Sequence, residues 1–128
     1  MSQLSRGKPA PFIDMAGKTV LIVDDEFLVA DDMARYFESS GATVLGPVPT
    51  LAAASSIVAR EGPLDGAILD INLFGEQVFL LIDALRQRGV CCVLSTGYDH
   101  AIVPPAYRTL PFCQKPVESV DIARVLFG

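Results

Sequence analysis

Short apolar runs rich in β-branched residues recur along this chain with helical segments between them. That alternation restricts the fold more than any other feature. Thr19 to Val23 reads TVLIV, a continuous apolar run expected of a strand buried on both faces. Thr43 to Leu45 predicts a second strand, closed by Gly46-Pro47. Gly66 to Ile71 (GAILDI) predicts a third, Val90 to Ser95 (VCCVLS) a fourth and Pro111 to Gln114 (PFCQ) a short fifth. Between these runs the apolar residues take helical spacing. Val29, Met33, Tyr36 and Phe37 line one face of a helix over Glu26 to Ser39, which Gly41 stops. Thr50 caps a helix over Leu51 to Arg60 that Gly62-Pro63 ends. Val78, Leu81, Ile82 and Leu85 form the stripe of a helix from Glu76 to Gln87, and Glu118 to Phe127 is the last helix.

Strands and helices alternating at this spacing call for right-handed βαβ crossovers and a parallel sheet covered on both faces. The expected fold is therefore α/β, a flavodoxin-like doubly wound five-stranded parallel sheet in the order 2-1-3-4-5. A short or irregular fourth helix is expected, roughly two turns or fewer, because Pro104-Pro105 can start a helix but not sit inside one. Residues 1–17 mix Gly, Pro, Ser and charge without periodicity and read as an N-terminal tail. Phe12, Ile13 and Met15 in that tail have the character to pack on a domain surface. One domain is expected, over residues 18–128.

With 10 Lys and Arg against 15 Asp and Glu, the net charge of -5 offers nothing to grip a phosphate backbone, so direct nucleic-acid binding is not expected. No apolar stretch approaches the ~20 residues of a membrane span, and the start lacks the apolar core of a signal peptide. A soluble, cytoplasmic protein without membrane contact is expected. Cys91, Cys92 and Cys113 have neither zinc nor redox spacing, and the odd count argues against a disulfide framework. They read as small buried hydrophobes in a reducing compartment. His100, the single histidine, reads as a surface residue. Phe79 and Leu80 fall off the stripe of their helix, where the default is extra core contact and exposure would mark a partner site.

In an open doubly wound sheet, ligands bind beyond the carboxyl ends of the strands, at the switch point between the first and third. Asp24, Asp25 and Glu26 end the first strand, and Asp70 sits late in the third, followed by Asn72. Carboxylates crowded at one edge repel unless a cation sits among them, and Mg²⁺ suits such an oxygen-only set. Thr96 after the fourth strand adds a hydroxyl, and Lys115 after the fifth adds an ammonium fixed by Pro116. Acids, one hydroxyl and one lysine suit phosphoryl transfer, in which a carboxylate attacks while metal and lysine neutralise the equatorial oxygens. Nothing in the set is a general base for an external alcohol, so the protein's own carboxylate is the expected acceptor.

VLIVDDE, LDINL, STGYD and QKP, in this order and spacing, resemble the receiver domain of two-component response regulators over residues 18–128. The resemblance implies that Asp70 is the phosphoacceptor, charged by a histidine kinase or a histidine phosphotransfer protein. It implies Asp25 as a direct Mg²⁺ ligand, Asp24 as a ligand through water, and Asn72 as a ligand through its backbone carbonyl. Thr96 takes the place of the switch hydroxyl, Lys115 of the phosphate partner and Phe112 of the switch aromatic. STGYD resembles a stand-alone subgroup whose fourth strand ends in Phe-Ala-Thr-Gly, here Leu94-Ser95-Thr96-Gly97. LDINL lacks the proline that many receivers carry just after the acceptor, with Gly75 in that region.

Such a domain is no enzyme in the usual sense, since it catalyses only its own phosphorylation and dephosphorylation. With no output domain after Gly128 in this chain, signalling by protein contact is expected, from a monomer or weak dimer. Two other classes fit less well. A Mg²⁺-dependent aspartyl phosphatase resembles a strand followed by Asp-x-Asp-x-Thr, and Asp24-Asp25-Glu26-Phe27 has no second Asp at that offset. A flavodoxin wants a hydroxyl- or Gly-rich phosphate loop where this chain puts three acids.

Overall fold

The computed structural model describes residues 13–70, 77–96, 103–115 and 118–128. In chain order the elements are β1 (Thr19–Val23), α1 (Phe27–Ser39), β2 (Thr43–Val48), α2 (Leu51–Arg60), β3 (Gly66–Asp70), α3 (Gln77–Gln87), β4 (Cys91–Thr96), a 3₁₀ turn (Pro105–Tyr107), β5 (Phe112–Gln114) and α4 (Ser119–Phe127). All strand pairs are parallel, and the sheet runs β2-β1-β3-β4-β5. This is the expected flavodoxin-like order 2-1-3-4-5.

Alternation along the strands sorts the core into two layers. Leu21, Val23, Ala67, Leu69, Cys92 and Leu94 face one side, under α2 and α3. Val20, Ile22, Ile68 and Val93 face the other, under α1 and α4. The central strands are buried on both faces, which is why TVLIV and GAILD read as unbroken apolar runs.

The helices differ from the expected pattern in phase. In α1 the buried residues are Ala30, Met33, Ala34 and Phe37, whereas Val29 is exposed and Tyr36 half-buried. Small Ala30 and Ala34 carry the close approach to the sheet, so the stripe is rotated by about one residue from that drawn through the larger side chains. In α3 the expected Val78, Leu81, Ile82 and Leu85 are all buried. Thr50 caps α2 as expected, its Oγ1 accepting from the Ala53 N–H at 3.1 Å.

β2 does not stop at Gly46-Pro47 but continues to Val48. Leu21 pairs with Leu45 and Val23 with Val48, so one extra residue bulges out of β2. Gly46 makes this possible, with φ +94° and a backbone so close to the Ile22 carbonyl that a Cβ would stand 2.8 Å from it. The bulge delivers the Val48 carbonyl to the Asp24 N–H at 3.0 Å.

Met15, assigned to the tail from sequence, is fully buried under α1 and α4, with Ile13 packed beside it. Its N–H donates to the Ser40 carbonyl at 2.8 Å. Phe12 lies outside the described residues, as do Gly75, Gly97, Tyr98, His100 and Pro116.

Where a fourth helix was expected, the described residues hold one 3₁₀ turn, begun by Pro104 and Pro105. Its anchors are tertiary. Val103 is fully buried, Tyr107 stacks on Phe79 with ring centroids 4.5 Å apart, and its hydroxyl donates to Asp83 Oδ2 at 3.0 Å. Phe79 is thus half-buried against the core, while Leu80 is exposed at the rim of a 460 Å³ groove between α2 and α3.

The cysteines are free, but only Cys92 is buried. Burial pushes its thiol up to about 12. Cys113 is half-buried and Cys91 exposed, which corrects the expectation of three buried thiols. Cys91 and Cys92 are neighbours on one strand and so point to opposite faces. Among the described residues no helix is long and apolar enough to cross a membrane.

Candidate functional site

The register of β1 and β3 sets the geometry. Val23 pairs with Leu69, which brings Asp24 and Asp70 level at the carboxyl edge of the sheet. Both are nearly inaccessible, at 5% and 2% exposure, whereas Asp25 is exposed. Asp24 is fixed at both ends, its N–H on Val48 and its Oδ1 accepting from the Glu26 N–H at 2.8 Å.

Lys115 follows β5 and reaches back across the edge. Its Nζ lies 3.0 Å from Asp70 Oδ2, 3.1 Å from Asp24 Oδ2 and 3.3 Å from Glu26 Oε2. The lysine side chain is 11% exposed, so solvent screens the contacts to the two buried acids little. Burial alone pushes its pKa down, but hydrogen bonds to Asp70 and Asp24 and their charges outweigh it and hold the ammonium above the ordinary lysine range. Lys115 therefore stays charged at any physiological pH.

Oxygens of Asp24, Asp25 and Asp70 lie within 4.8 Å of one another, a set that could hold a metal ion. All the donors are carboxylate oxygens, two of them held at the strand ends by burial, and such a set fits a hard cation in preference to a soft one.

The sequence-expected residues are distributed as follows. Asp24, Asp25, Asp70 and Lys115 come together. Thr96 ends β4, its backbone paired with Gln114 beside Lys115, and its side chain falls outside the described part. Asn72 lies outside the described residues. Phe112 is half-buried on β5 and packs against the core under α2 and α3.

Two neighbours had no role assigned from the sequence, although Glu26 was placed among the acids at the end of the first strand. Glu26 supplies the third carboxylate on Lys115, and its place directly after two acids was the available signal. Ser95 pairs with Asp70 and is fully buried. A hydroxyl inside VCCVLS was its only signal. Beside the site, Phe27 and Leu28 open α1 with 72% and 76% of their surface exposed.

A scan against protein-family models finds no match, and neither does a search of curated proteins. Solved structures do match. SdrG from Pseudomonas melonis Fr1, in its BeF₃-activated conformation, is 36% identical over 87% of this chain and 94% of its own, with a TM-score of 0.70. A CheY-like response regulator receiver domain protein from Methanospirillum hungatei JF-1 is 25% identical over 84% of this chain and 88% of its own, with a TM-score of 0.65. A response regulator from Burkholderia pseudomallei, solved with a phosphorylated aspartic acid, a calcium ion and citrate, shares the fold at 19% identity. It covers 85% of this chain and 66% of its own at a TM-score of 0.69. With the sheet order, the strand-end acids and the bridging lysine on one edge, the chain belongs to the receiver domains of response regulators.

Proposed function

We propose that this domain accepts a phosphoryl group on Asp70 in a Mg²⁺-dependent reaction, from a histidine kinase or a histidine phosphotransfer protein, and signals by protein contact. The observation that carries the reading is Lys115 Nζ at 3.0 Å from Asp70 Oδ2, at a buried strand end shared with Asp24. A lysine so placed can follow negative charge from the carboxylate to a phosphoryl oxygen without leaving the site.

Asp24, Asp25 and Asp70 would hold Mg²⁺, with the backbone carbonyl of Asn72 as the expected further ligand. When bound, the ion neutralises charge on the phosphoryl oxygens. An Asp70 carboxylate oxygen forms the new O–P bond as the donor's P–N bond breaks, the electron pair leaving on the imidazole nitrogen. Lys115 neutralises a second phosphoryl oxygen, and Thr96 hydrogen-bonds the product as the switch hydroxyl, with Phe112 as the aromatic that responds. The fold supports a signalling module rather than a turnover enzyme. The Burkholderia pseudomallei response regulator that shares this fold carries a phosphorylated aspartic acid and a calcium ion, the kind of pairing proposed here. Exposed Phe27 and Leu28, beside the acids, fit a donor protein that must bring its phosphohistidine to Asp70.

Incubation with acetyl phosphate and Mg²⁺, followed by intact mass, tests the reading. The wild type gains one phosphoryl group, and Asp70→Asn gains none. Equal labelling of Asp70→Asn would overturn the assignment.

A further inference from the structure

Four residues stand level across the carboxyl edge of the sheet. Asp70 pairs with Ser95, Ser95 pairs with Cys113, and Asp24 follows the pair Val23–Leu69. Two residues before each of the first three, Ile22, Ile68 and Val93 all belong to the core under α1 and α4, where Cys113 also packs. Side chains two apart on a strand share a face. The row therefore runs Asp24, Asp70, Ser95, Cys113 on one face, and Lys115, two residues beyond Cys113, spans back past Ser95 to Asp70 and Asp24.

Within that row Ser95 is the unresolved member. It has no exposed surface, and its Oγ has no hydrogen-bond partner among the described residues. A buried hydroxyl left unpaired carries a desolvation cost that an alanine in the same place would avoid. The other buried polar side chains of the row are engaged, Asp24 and Asp70 both by Lys115. Asp24 flanks Asp70 on one side, Lys115 closes from β5, and Ser95 presents its hydroxyl from the β4 side.

We infer that Ser95 is a second hydroxyl contact for the phosphoryl group on Asp70, a donor left unpaired in the unmodified domain and paired once Asp70 is phosphorylated. The inference rests on the phosphoacceptor reading above. Neighbouring strands lie about 4.8 Å apart, which sets the spacing of paired residues on one face, and a phosphoryl group extends the carboxylate by one further bond. A terminal oxygen of that group thus comes within hydrogen-bond reach of the neighbouring hydroxyl. Its effect is differential, because an interaction made only in the phosphorylated state shifts the balance toward that state.

Ser95→Ala separates this role from packing when measured in both states, with beryllofluoride as the phosphoryl mimic. Unmodified Ser95→Ala melts no lower than the wild type, since the variant removes an unpaired polar atom. In Mg²⁺ its midpoint for beryllofluoride rises about tenfold, the loss expected for one hydrogen bond to a charged group. Ser95→Cys, of similar size but a weak donor, falls between the two. Equal midpoints for wild type and Ser95→Ala overturn the inference, and so does an equal loss of stability in both states. A wild type that gains no stability from beryllofluoride and Mg²⁺ overturns the phosphoacceptor reading and this inference together. Wild-type binding with unchanged Ser95→Ala binding overturns the inference alone.

Discussion

At Lys115 a single ammonium faces three carboxylates, two of them almost sealed from solvent. Removing one partner of a buried ion pair costs about 3–5 kcal/mol, mainly because the remaining charge is stranded. Lys115→Ala leaves Asp24 and Asp70 level and facing one another without the ammonium that bridges them. The variant is therefore expected to lose roughly 3 kcal/mol in metal-free buffer. Mg²⁺ then supplies the missing charge, so the rise in melting temperature on adding it exceeds that of the wild type. Thermal melts with and without Mg²⁺ check this, and an equal rise in both proteins would refute it. Asp24, Asp25, Asp70 and Lys115 were all legible in the sequence because each stands at the end of a strand run or just after it. The triple contact was not, since it depends on how far the side chain that follows β5 extends across the edge.

Between β4 and β5 the chain does what Pro104-Pro105 demanded and no more, a single 3₁₀ turn. The segment from Tyr98 to Leu110 carries few strong helical anchors in its sequence. Tertiary contacts hold residues 103–110 instead, through Val103 in the core and Tyr107 on Phe79 and Asp83. Tyr107→Ala should raise hydrogen exchange across residues 103–110, and Tyr107→Phe, which keeps the ring, should raise it less. The hydrogen bond to Asp83, with lesser help from burial and that carboxylate's charge, holds the phenol pKa above its ordinary 10.0. A raised pKa stabilises fully below pH 10 and is lost as pH climbs through the folded value. Protection of this turn should thus be flat with pH up to about 10 and fall only beyond it. Unchanged exchange in Tyr107→Ala would show that the clasp is incidental.

For the molecule as a whole, the folded unit starts before β1. Met15 fills the layer under α1 and α4, and its N–H on Ser40 ties the entering chain to the end of α1. A fully buried Met→Ala change typically costs about 2–5 kcal/mol. Met15→Ala should fall in that range by urea melts, with an unchanged m-value, whereas a residue in an unpacked tail would cost nothing measurable.

Local pattern was enough for the strand runs, the parallel doubly wound sheet, its order and the strand ends that bear acids and lysine. These follow from which residues are apolar and how often they recur, and such periodicity is written in neighbouring residues. Phase and partner are not. Val29 is exposed and Ala30 buried because the packing of α1 on the sheet chooses the side that comes closest, and small residues come closest. β2 runs through Gly46-Pro47 because pairing with β1 continues around a bulge. Met15 is core because the chain entering β1 packs against α1 and α4 and is tied to Ser40 at the end of α1. Ser95 stands beside Asp70 because β3 and β4 pair in one register, and a shift of one residue would turn its hydroxyl to the opposite face. Each of these rests on contacts between residues far apart in the chain, which no window along the sequence contains.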